Sequence, residues 1–595
     1  MAGAGTILSM LDTRDGDPVA SAVAANKRLF LSALTFSAAM SILALTTSFY
    51  MLQVYDRVLT SRSEETLLLL TLITIGGIAV FGILDSLRMR LLNRAGMRVG
   101  EALARTTLRA MIATASQDGG LSTKQGLRDI DTVRNFIGSA GFAALLDAPF
   151  VVVFLIVLFL LHPAFLVIVL LGGILLGAIA LTGHRLTNEP VARSIGMAMR
   201  AHQFADNAVR NADVIEGMGM AAGYTERWHA QWLESLRLNT VATDRESAFN
   251  ASSKALRLLV QILLLGAGAL LILSFHATGG IMIGASIIGS RALAPIETMV
   301  SMWKSVIAVT LARRRIAQLL LNAPRRDEGI ELPAPRGHLS VQAVHYAAPG
   351  TRKLILSNIG FELRPGESLG IIGPSGSGKS TLAKLLIGAW PCSSGTVRLD
   401  GADIYRWPRA ELSRHIGYLP QDVELFAGTV RENIGRMTEG TPSDIVRAAQ
   451  RAHAHEMILG LPKGYDTEIG ENGHNLSGGQ SQRIGIARAL FGEPRFIVLD
   501  EPNSNLDAIG EDALITTLAE LKRDGVTVVV VAHRPSILAG VDRMLVLNAA
   551  GNIEAFGPRA DIVQRYTQQR PASNVVPLSS VASPDADDGN AGRKS

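Results

Sequence analysis

Gly373-Pro374-Ser375-Gly376-Ser377-Gly378-Lys379-Ser380 follows an apolar run at 368–372 and opens a helix-like stretch beginning Lys379-Ser380-Thr381. These residues fit the phosphate-loop pattern G-x-x-x-x-G-K-[ST], and a strand before it with a helix after it is the context that pattern requires. Glycines let the backbone bend so that its N–H groups and the helix N-terminus wrap the phosphates. Lys379 neutralises the terminal phosphate oxygens, and the Ser380 hydroxyl is a ligand for Mg²⁺. The candidate nucleotide contacts are therefore Gly373, Pro374, Ser375, Gly376, Ser377, Gly378, Lys379, Ser380 and Thr381.

Working outward, Phe496-Ile497-Val498-Leu499-Asp500 is an apolar strand ending in a carboxylate, followed at once by Glu501. Two adjacent acids can divide the work, Asp500 holding Mg²⁺ through water and Glu501 orienting or deprotonating the attacking water. A second apolar run at 526–531 is followed by Ala532 and His533, which places an imidazole at a strand end within reach of a γ-phosphate. A strand-end histidine alone is more often structural, but its position after the carboxylate strand favours contact with phosphate.

The N-terminal half has a different composition. A bilayer core needs roughly 20 mostly apolar residues to be crossed by a helix, and six stretches qualify, at 29–55, 66–86, 141–161, 164–182, 256–275 and 279–303. His162-Pro163 makes the third and fourth a tight hairpin. Arg and Lys gather between the second and third spans, from Arg88 to Arg134, and between the fourth and fifth, from Arg185 to Lys254. Such clusters mark the cytoplasmic side, so both termini are expected there. The long loops have helical composition, so the second, third, fourth and fifth spans are expected to continue as helices into the cytoplasm. The outer connections are short: a charged turn at 56–65, His162-Pro163, and residues 276–279.

Length and composition agree with this division, with 595 residues, 48% of them hydrophobic, and a mean hydropathy of +0.27. A net charge of +5 over so long a chain fits basic loops flanking spans better than nucleic acid, which is discounted as a partner. The single cysteine, Cys392, excludes an internal disulfide and any multi-cysteine metal site, and reads as packing. Asp12, Asp15 and Asp17 precede the first apolar run, which is of spanning length, so a cleaved signal peptide is not expected. The divisions expected are a cytoplasmic segment at 1–28, a transmembrane domain at 29–330, a nucleotide-binding domain at 337–568 and a disordered tail at 569–595, with Leu332-Pro333-Ala334-Pro335 at the junction.

Leu476-Ser477-Gly478-Gly479-Gln480, ahead of the carboxylate strand, is the sequence by which this chain resembles the ABC transporter ATPases. The resemblance implies an all-α, six-helix transmembrane exporter domain joined to an α/β P-loop ATPase. It makes Gln421, in Leu419-Pro420-Gln421-Asp422, the glutamine that senses Mg²⁺ and γ-phosphate, so that Ser380, Gln421 and Asp500 form the metal set and Glu501, His533 and Gln421 the catalytic set. Ser504-Asn505-Leu506-Asp507 resembles the D-loop, with Asn505 where many members have alanine. Residues 467–473 resemble the exporter segment before the signature. An aromatic that stacks on adenine is expected at Ala348, and Tyr346 lies two residues earlier, so packing and adenine stacking both stay open for it. In the family the signature of one subunit closes on the nucleotide of the other, which implies a homodimer with two ATP sites.

Phe49-Tyr50-Met51-Leu52-Gln53-Val54-Tyr55-Asp56-Arg57-Val58-Leu59, the stretch Gly126-Leu127-Arg128-Asp129-Ile130-Asp131 continuing to Phe136, and Leu146-Asp147-Ala148-Pro149-Phe150 resemble the permease/ATPase subunits of bacterial type I secretion systems. The resemblance is to the branch that exports proteases and lipases, and an N-terminal peptidase domain is not expected in the 28 residues before the first span. That resemblance implies residence in the bacterial inner membrane, a periplasmic adaptor, an outer-membrane channel, and a secreted protein with an uncleaved C-terminal signal. The alternative is an exporter of lipids or small molecules. Within the spans, Asp147 reads as a helix cap more readily than as a cargo contact, and Gln261 equally as a path residue or a helix–helix hydrogen bond.

Overall fold

A computed structural model of the chain describes residues 17–118, 125–324, 332–349, 351, 353–470 and 475–568. The expected tail at 569–595, residues 1–16, and Glu471, Asn472 and Gly473 of the segment before the signature lie outside the described residues. The chain divides into two compact units, Met1–Pro324 and Arg325–Ser595.

The first unit is helical. In order it contains α1 Pro18–Ala25, α2 Lys27–Leu43, α3 Thr46–Gln53, α4 Glu64–Asp118, α5 Gly126–Ile137, α6 Ala140–Asp147, α7 Val151–Leu161, α8 Pro163–Arg210, α9 Ala221–Leu273, α10 Gly279–Ser301 and α11 Trp303–Asn322. Six helical stretches are long and apolar enough to cross a membrane: Lys27–Ser61, Glu64–Ser116, Ala140–Leu161, Pro163–Arg210, Ala221–Leu273 and Gly279–Ser301. Leucines and isoleucines such as Leu68, Leu69, Ile73, Ile174 and Ile262 stand exposed along them, as lipid-facing positions do. Small residues bring the spans together, since a Cβ on Gly172 of α8 would lie 2.6 Å from Val260 Cγ2 of α9.

Three details differ from the sequence expectation. Helices α4, α8 and α9 run far beyond membrane length, but the third span, Ala140–Leu161, does not. Ser139 caps α6, its side chain accepting from Phe142 N at 3.3 Å, and the residues before it form the separate amphipathic helix α5. The stretch expected as a charged turn from Asp56 is helical through Ser61, including a π-turn at Val54–Val58, and reverses only at Arg62, whose φ is 53°. The segment before the first span also has structure: Asp17 caps α1, and Val19, Ala22 and Val23 are buried with Leu92, Ala312 and Ile316.

The second unit is built on strands β1 Leu339–Ala347, β2 Leu354–Leu363, β3 Ser368–Ile372, β4 Ser394–Leu399, β5 Ala402–Asp403, β6 Ile416–Leu419, β7 Gly428–Thr429, β8 Glu468–Ile469, β9 Phe496–Asp500, β10 Thr527–Val531, β11 Arg543–Leu547 and β12 Ile553–Pro558. Six form one sheet in the order β12-β11-β3-β10-β9-β6. It is parallel from β11 to β6, with β12 antiparallel at the edge. A smaller antiparallel sheet runs β2-β1-β4-β5, and β7 pairs with β8. Every residue of β9 and β10 is buried, as continuous apolar strands covered on both faces must be. Ile497 and Leu499 feed one core cluster, Phe496 and Val498 the other. Helices α12 Lys379–Leu386, α13 Gly478–Leu490, α14 Ala508–Arg523 and α15 Arg559–Gln568 complete the outline. The loops that leave β3, β6, β9 and β10 all open at the C-terminal ends of parallel strands, where doubly wound sheets bind ligands.

Candidate nucleotide-binding site

The loop leaving β3 is shaped by its glycines. Gly376 and Gly378 have φ of 79° and 91°, and a Cβ on Gly378 would meet Leu356 Cδ2 at 2.7 Å, so a side chain there is excluded by both conformation and space. Gly378 is the N-cap of α12, aiming the first N–H groups of that helix into the loop. Lys379 is buried, and its Nζ donates to the carbonyls of Gly373 at 3.0 Å and Pro374 at 2.9 Å. Burial pushes its ammonium pKa down, against the opposing charges of Glu501 and Asp500. Ser377 Oγ is buried without a hydrogen-bond partner among the described residues. Pro374, Ser375, Ser380 and Thr381 lie on the same loop and first helical turn.

The other strand ends deliver the acids. Asp500, last in β9, is 1% exposed, and its Oδ1 has no hydrogen-bond partner among the described residues. Burial holds its carboxyl above the ordinary range, opposed by a hydrogen bond from Ser380 and reinforced by Glu501. Glu501 stands between two partners, its Oε2 accepting from Gln421 Nε2 at 3.2 Å and its Oε1 meeting His533 Nε2 at 3.1 Å. Ser380 Oγ donates to Gln421 Oε1 at 3.5 Å, so β3, β6, β9 and β10 each contribute one member to a single polar chain. Glu501 adopts φ 48°, a left-handed conformation costing an L-residue about 1–2 kcal/mol. Its N–H donates to Val531 O at 2.9 Å, which ties it to β10. A buried carboxylate oxygen left unpartnered beside Ser380 and Gln421 is an all-oxygen donor set of the kind Mg²⁺ prefers.

The Leu476–Gln480 stretch opens α13. Ser477 and Gln480 form a reciprocal capping box, Ser477 Oγ accepting from Gln480 N at 3.3 Å and Gln480 Oε1 from Ser477 N at 2.9 Å. A Cβ on Gly479 would lie 3.1 Å from Asn505 O, and Leu476 packs on the core. The Ser504–Asp507 segment is thereby set against Gly478 and Gly479: Ser504 N donates to Glu501 O at 3.2 Å, and Leu506 is buried. Asp507 caps α14, accepting from Gly510 N at 2.8 Å and from Arg483 at 3.1 Å.

Comparison with known proteins agrees with this geometry. The family described as ABC transporter matches residues 356–504, and the ABC transporter transmembrane region matches residues 30–288. The type I secretion system ATP-binding protein PrsD of Rhizobium meliloti (strain 1021) is 40% identical over 574 residues, covering 96% of this chain and 98% of its own. The chain belongs to the ABC transporters, in the type I secretion family. The leukotoxin translocation ATP-binding protein LktB of Mannheimia haemolytica is 30% identical to this ABC transporter over 559 residues, or 91% of this chain and 77% of its own. In fold, a bacterial Atm1-family ABC exporter solved with ATP bound matches with a TM-score of 0.79 at 21% identity, over 92% of this chain and 99% of that one. The transporter is thus an ATP-binding, multi-pass membrane protein with an ABC exporter fold.

Of the residues whose role the sequence left open, Tyr346 falls to packing: it is 4% exposed and stacks on Trp390 with ring centroids 5.3 Å apart. Asp147 precedes the turn Ala148–Phe150 but makes no side-chain cap hydrogen bond among the described residues. It accepts from buried Arg88 at 2.6 Å, and Arg88 also donates to Asp85 at 2.7 Å and Ser37 Oγ at 3.0 Å, joining α2, α4 and α6. Lys384 is a contributor that sequence reasoning missed. Its charge acts on Asp500 while its Nζ lies 4.5 Å over the Trp390 ring. Its place five residues after Lys379 on the same helix was the available signal.

Proposed function

We propose that this chain is the ATP-hydrolysing subunit that drives protein export through a type I secretion system of the bacterial inner membrane, working as a homodimer. The observation that carries it is the 40% identity to PrsD along 96% of the chain, spans and ATPase together. The Arg-rich stretches between spans favour a topology with both termini cytoplasmic, and the short outer connections suit a subunit that depends on a periplasmic adaptor and an outer-membrane channel to cross the periplasm. The cargo is read as a protein with a C-terminal signal, and membrane lipid surrounds the spans.

ATP binds with its phosphates on the loop from Gly373 to Thr381, against the N-terminus of α12. Lys379, which rests on the Gly373 and Pro374 carbonyls, exchanges those carbonyls for β and γ oxygens. Ser380, Gln421 and Asp500 would hold Mg²⁺, partly through water, and the ion would neutralise charge on the phosphates. Glu501 orients the attacking water and takes its proton, with Gln421 and His533 fixing the carboxylate from either side. Leu476, Ser477, Gly478, Gly479 and Gln480 of the partner chain complete the γ-phosphate cage, and Ser504, Asn505, Leu506 and Asp507 line the approach. Binding closes the dimer and hydrolysis releases it, which moves the spans.

The test compares the extracellular proteins of cells carrying the intact gene with those carrying Lys379→Ala, by mass spectrometry. Loss of one or a few proteins from the medium, with their accumulation inside, supports the reading and names the cargo. Matching profiles, with ATPase activity present in the intact protein, overturn protein export in favour of lipids or small molecules.

A further inference from the structure

Strand β6 delivers Gln421 to the site, and three residues before it stands Tyr418, which has no part in the mechanism above. β6 pairs in parallel with β9 so that Tyr418 lies opposite Val498, two residues before Asp500. Side chains alternate along a strand, so Tyr418, Val498 and Asp500 share one face of the sheet. That face is covered by the phosphate-loop helix, since Tyr418 and Val498 pack in the same cluster as Leu382 and Leu385. Two residues of strand rise and one strand spacing place the Cα atoms of Tyr418 and Asp500 about 8 Å apart. Neither Tyr418 Oη nor Asp500 Oδ1 has a direct hydrogen-bond partner among the described residues, so a link between them would run through a bridging water.

Tyr418 Oη is buried and has no hydrogen-bond partner among the described residues, and the same holds for Asp500 Oδ1. Buried polar atoms are normally paired, and two orphans on neighbouring strands facing one space point to a shared partner.

We propose that Tyr418 is a positioning residue of the metal site, its hydroxyl donating to a water that Asp500 holds, and so aiming the carboxylate at Mg²⁺. The proposal rests on the metal–nucleotide reading of the site given above. It extends the metal set of Ser380, Gln421 and Asp500 to a residue that acts through Asp500. The outer partners of metal-bound carboxylates fix their orientation, and losing one typically costs about 10–100-fold in metal affinity.

The experiment titrates Mn²⁺, followed by electron paramagnetic resonance, into the full-length chain in nanodiscs with a non-hydrolysable ATP analogue bound. Tyr418→Phe keeps the ring and removes only the hydroxyl. The expected result is a half-saturating Mn²⁺ concentration raised about tenfold, with metal-free nucleotide binding and thermal midpoint at the wild-type level. Wild-type Mn²⁺ affinity in Tyr418→Phe overturns the proposal, whether or not the thermal midpoint moves. Asp500→Asn separates the two levels: if it loses Mn²⁺ while Tyr418→Phe does not, the site reading stands and the role of Tyr418 falls. If Asp500→Asn binds Mn²⁺ as the wild type does, the site reading itself is wrong.

Discussion

Asp129→Ala should destabilise the membrane unit without touching the ATP site, and its magnitude follows from the geometry. Asp129 on α5 accepts two hydrogen bonds from Arg315 on α11, at 2.8 Å from Nε and 2.5 Å from Nη2. The Asp129 side chain is 6% exposed and the Arg315 side chain 35%. The bond to Asp129 holds the Arg315 pKa above its ordinary value, so the guanidinium stays charged. Removing one partner of a fully buried pair costs about 3–5 kcal/mol, mostly through the orphaned charge. A third of the Arg315 side chain already meets water, so the cost falls to about 2 kcal/mol. For a unit of this size that is a midpoint shift of roughly 3 °C. Asp129→Ala/Arg315→Ala removes the orphan, and its shift should be smaller than the sum of the two single shifts by about 1–2 kcal/mol. The assay is thermal unfolding of all four proteins in one detergent. Additive single shifts, or a single shift below about 1 °C, would refute the assignment of this pair as a structural tie.

Glu501→Gln keeps the shape held between Gln421 and His533 but removes the carboxylate. Phosphate release should fall about 10²–10⁴-fold while ATP binding and the closed dimer persist, and normal turnover would sink the assignment. Gly378→Ala puts a Cβ 2.7 Å from Leu356 Cδ2 at φ 91°, so ATP binding measured by fluorescence should weaken at least about tenfold, given a backbone cost of about 1–3 kcal/mol. Wild-type binding would contradict the loop geometry. Asp507 has its pKa lowered by the Gly510 N–H and Arg483. Its contribution is therefore complete above the ordinary aspartate value of about 3.9 and fades as pH falls through the lower folded value. Thermal midpoints across that range should fall less steeply in Asp507→Asn, and parallel curves would exclude a role for this cap.

How much of this could be read in advance depended on whether the deciding interactions are local along the chain. The phosphate loop, Asp500, Glu501 and His533 were legible because each sits directly after a strand with a continuous apolar run, and sheet topology brings those ends together without further instruction. The spans were legible because lipid imposes length and composition. The acids of the membrane half were not, since their partners are far away in sequence: Asp147 answers Arg88 across 59 residues, Asp129 answers Arg315 across 186, and Asp56 accepts from Gly280 N across 224. No periodicity encodes such pairs. Tyr346 went to packing for a related reason, because its partner Trp390 comes from a different part of the fold.

These distant ties also reinterpret the resemblance that first suggested type I secretion. Each of the three stretches that carry it contains one of these acids, and each acid holds two helical segments together: Asp56 takes Thr278 Oγ1 at 2.5 Å and Gly280 N at 2.8 Å at the start of α10, Asp129 binds α5 to α11, and Asp147 binds α6 to α4. Asp147 further directly precedes the 3-10 turn Ala148–Phe150, which separates α6 from α7 within the third span. These three acids therefore serve the assembly of the helices. Substitutions of them should lower stability and export in proportion for every cargo. A change that alters which protein is exported, at unchanged stability, must then lie at residues other than Asp56, Asp129 and Asp147.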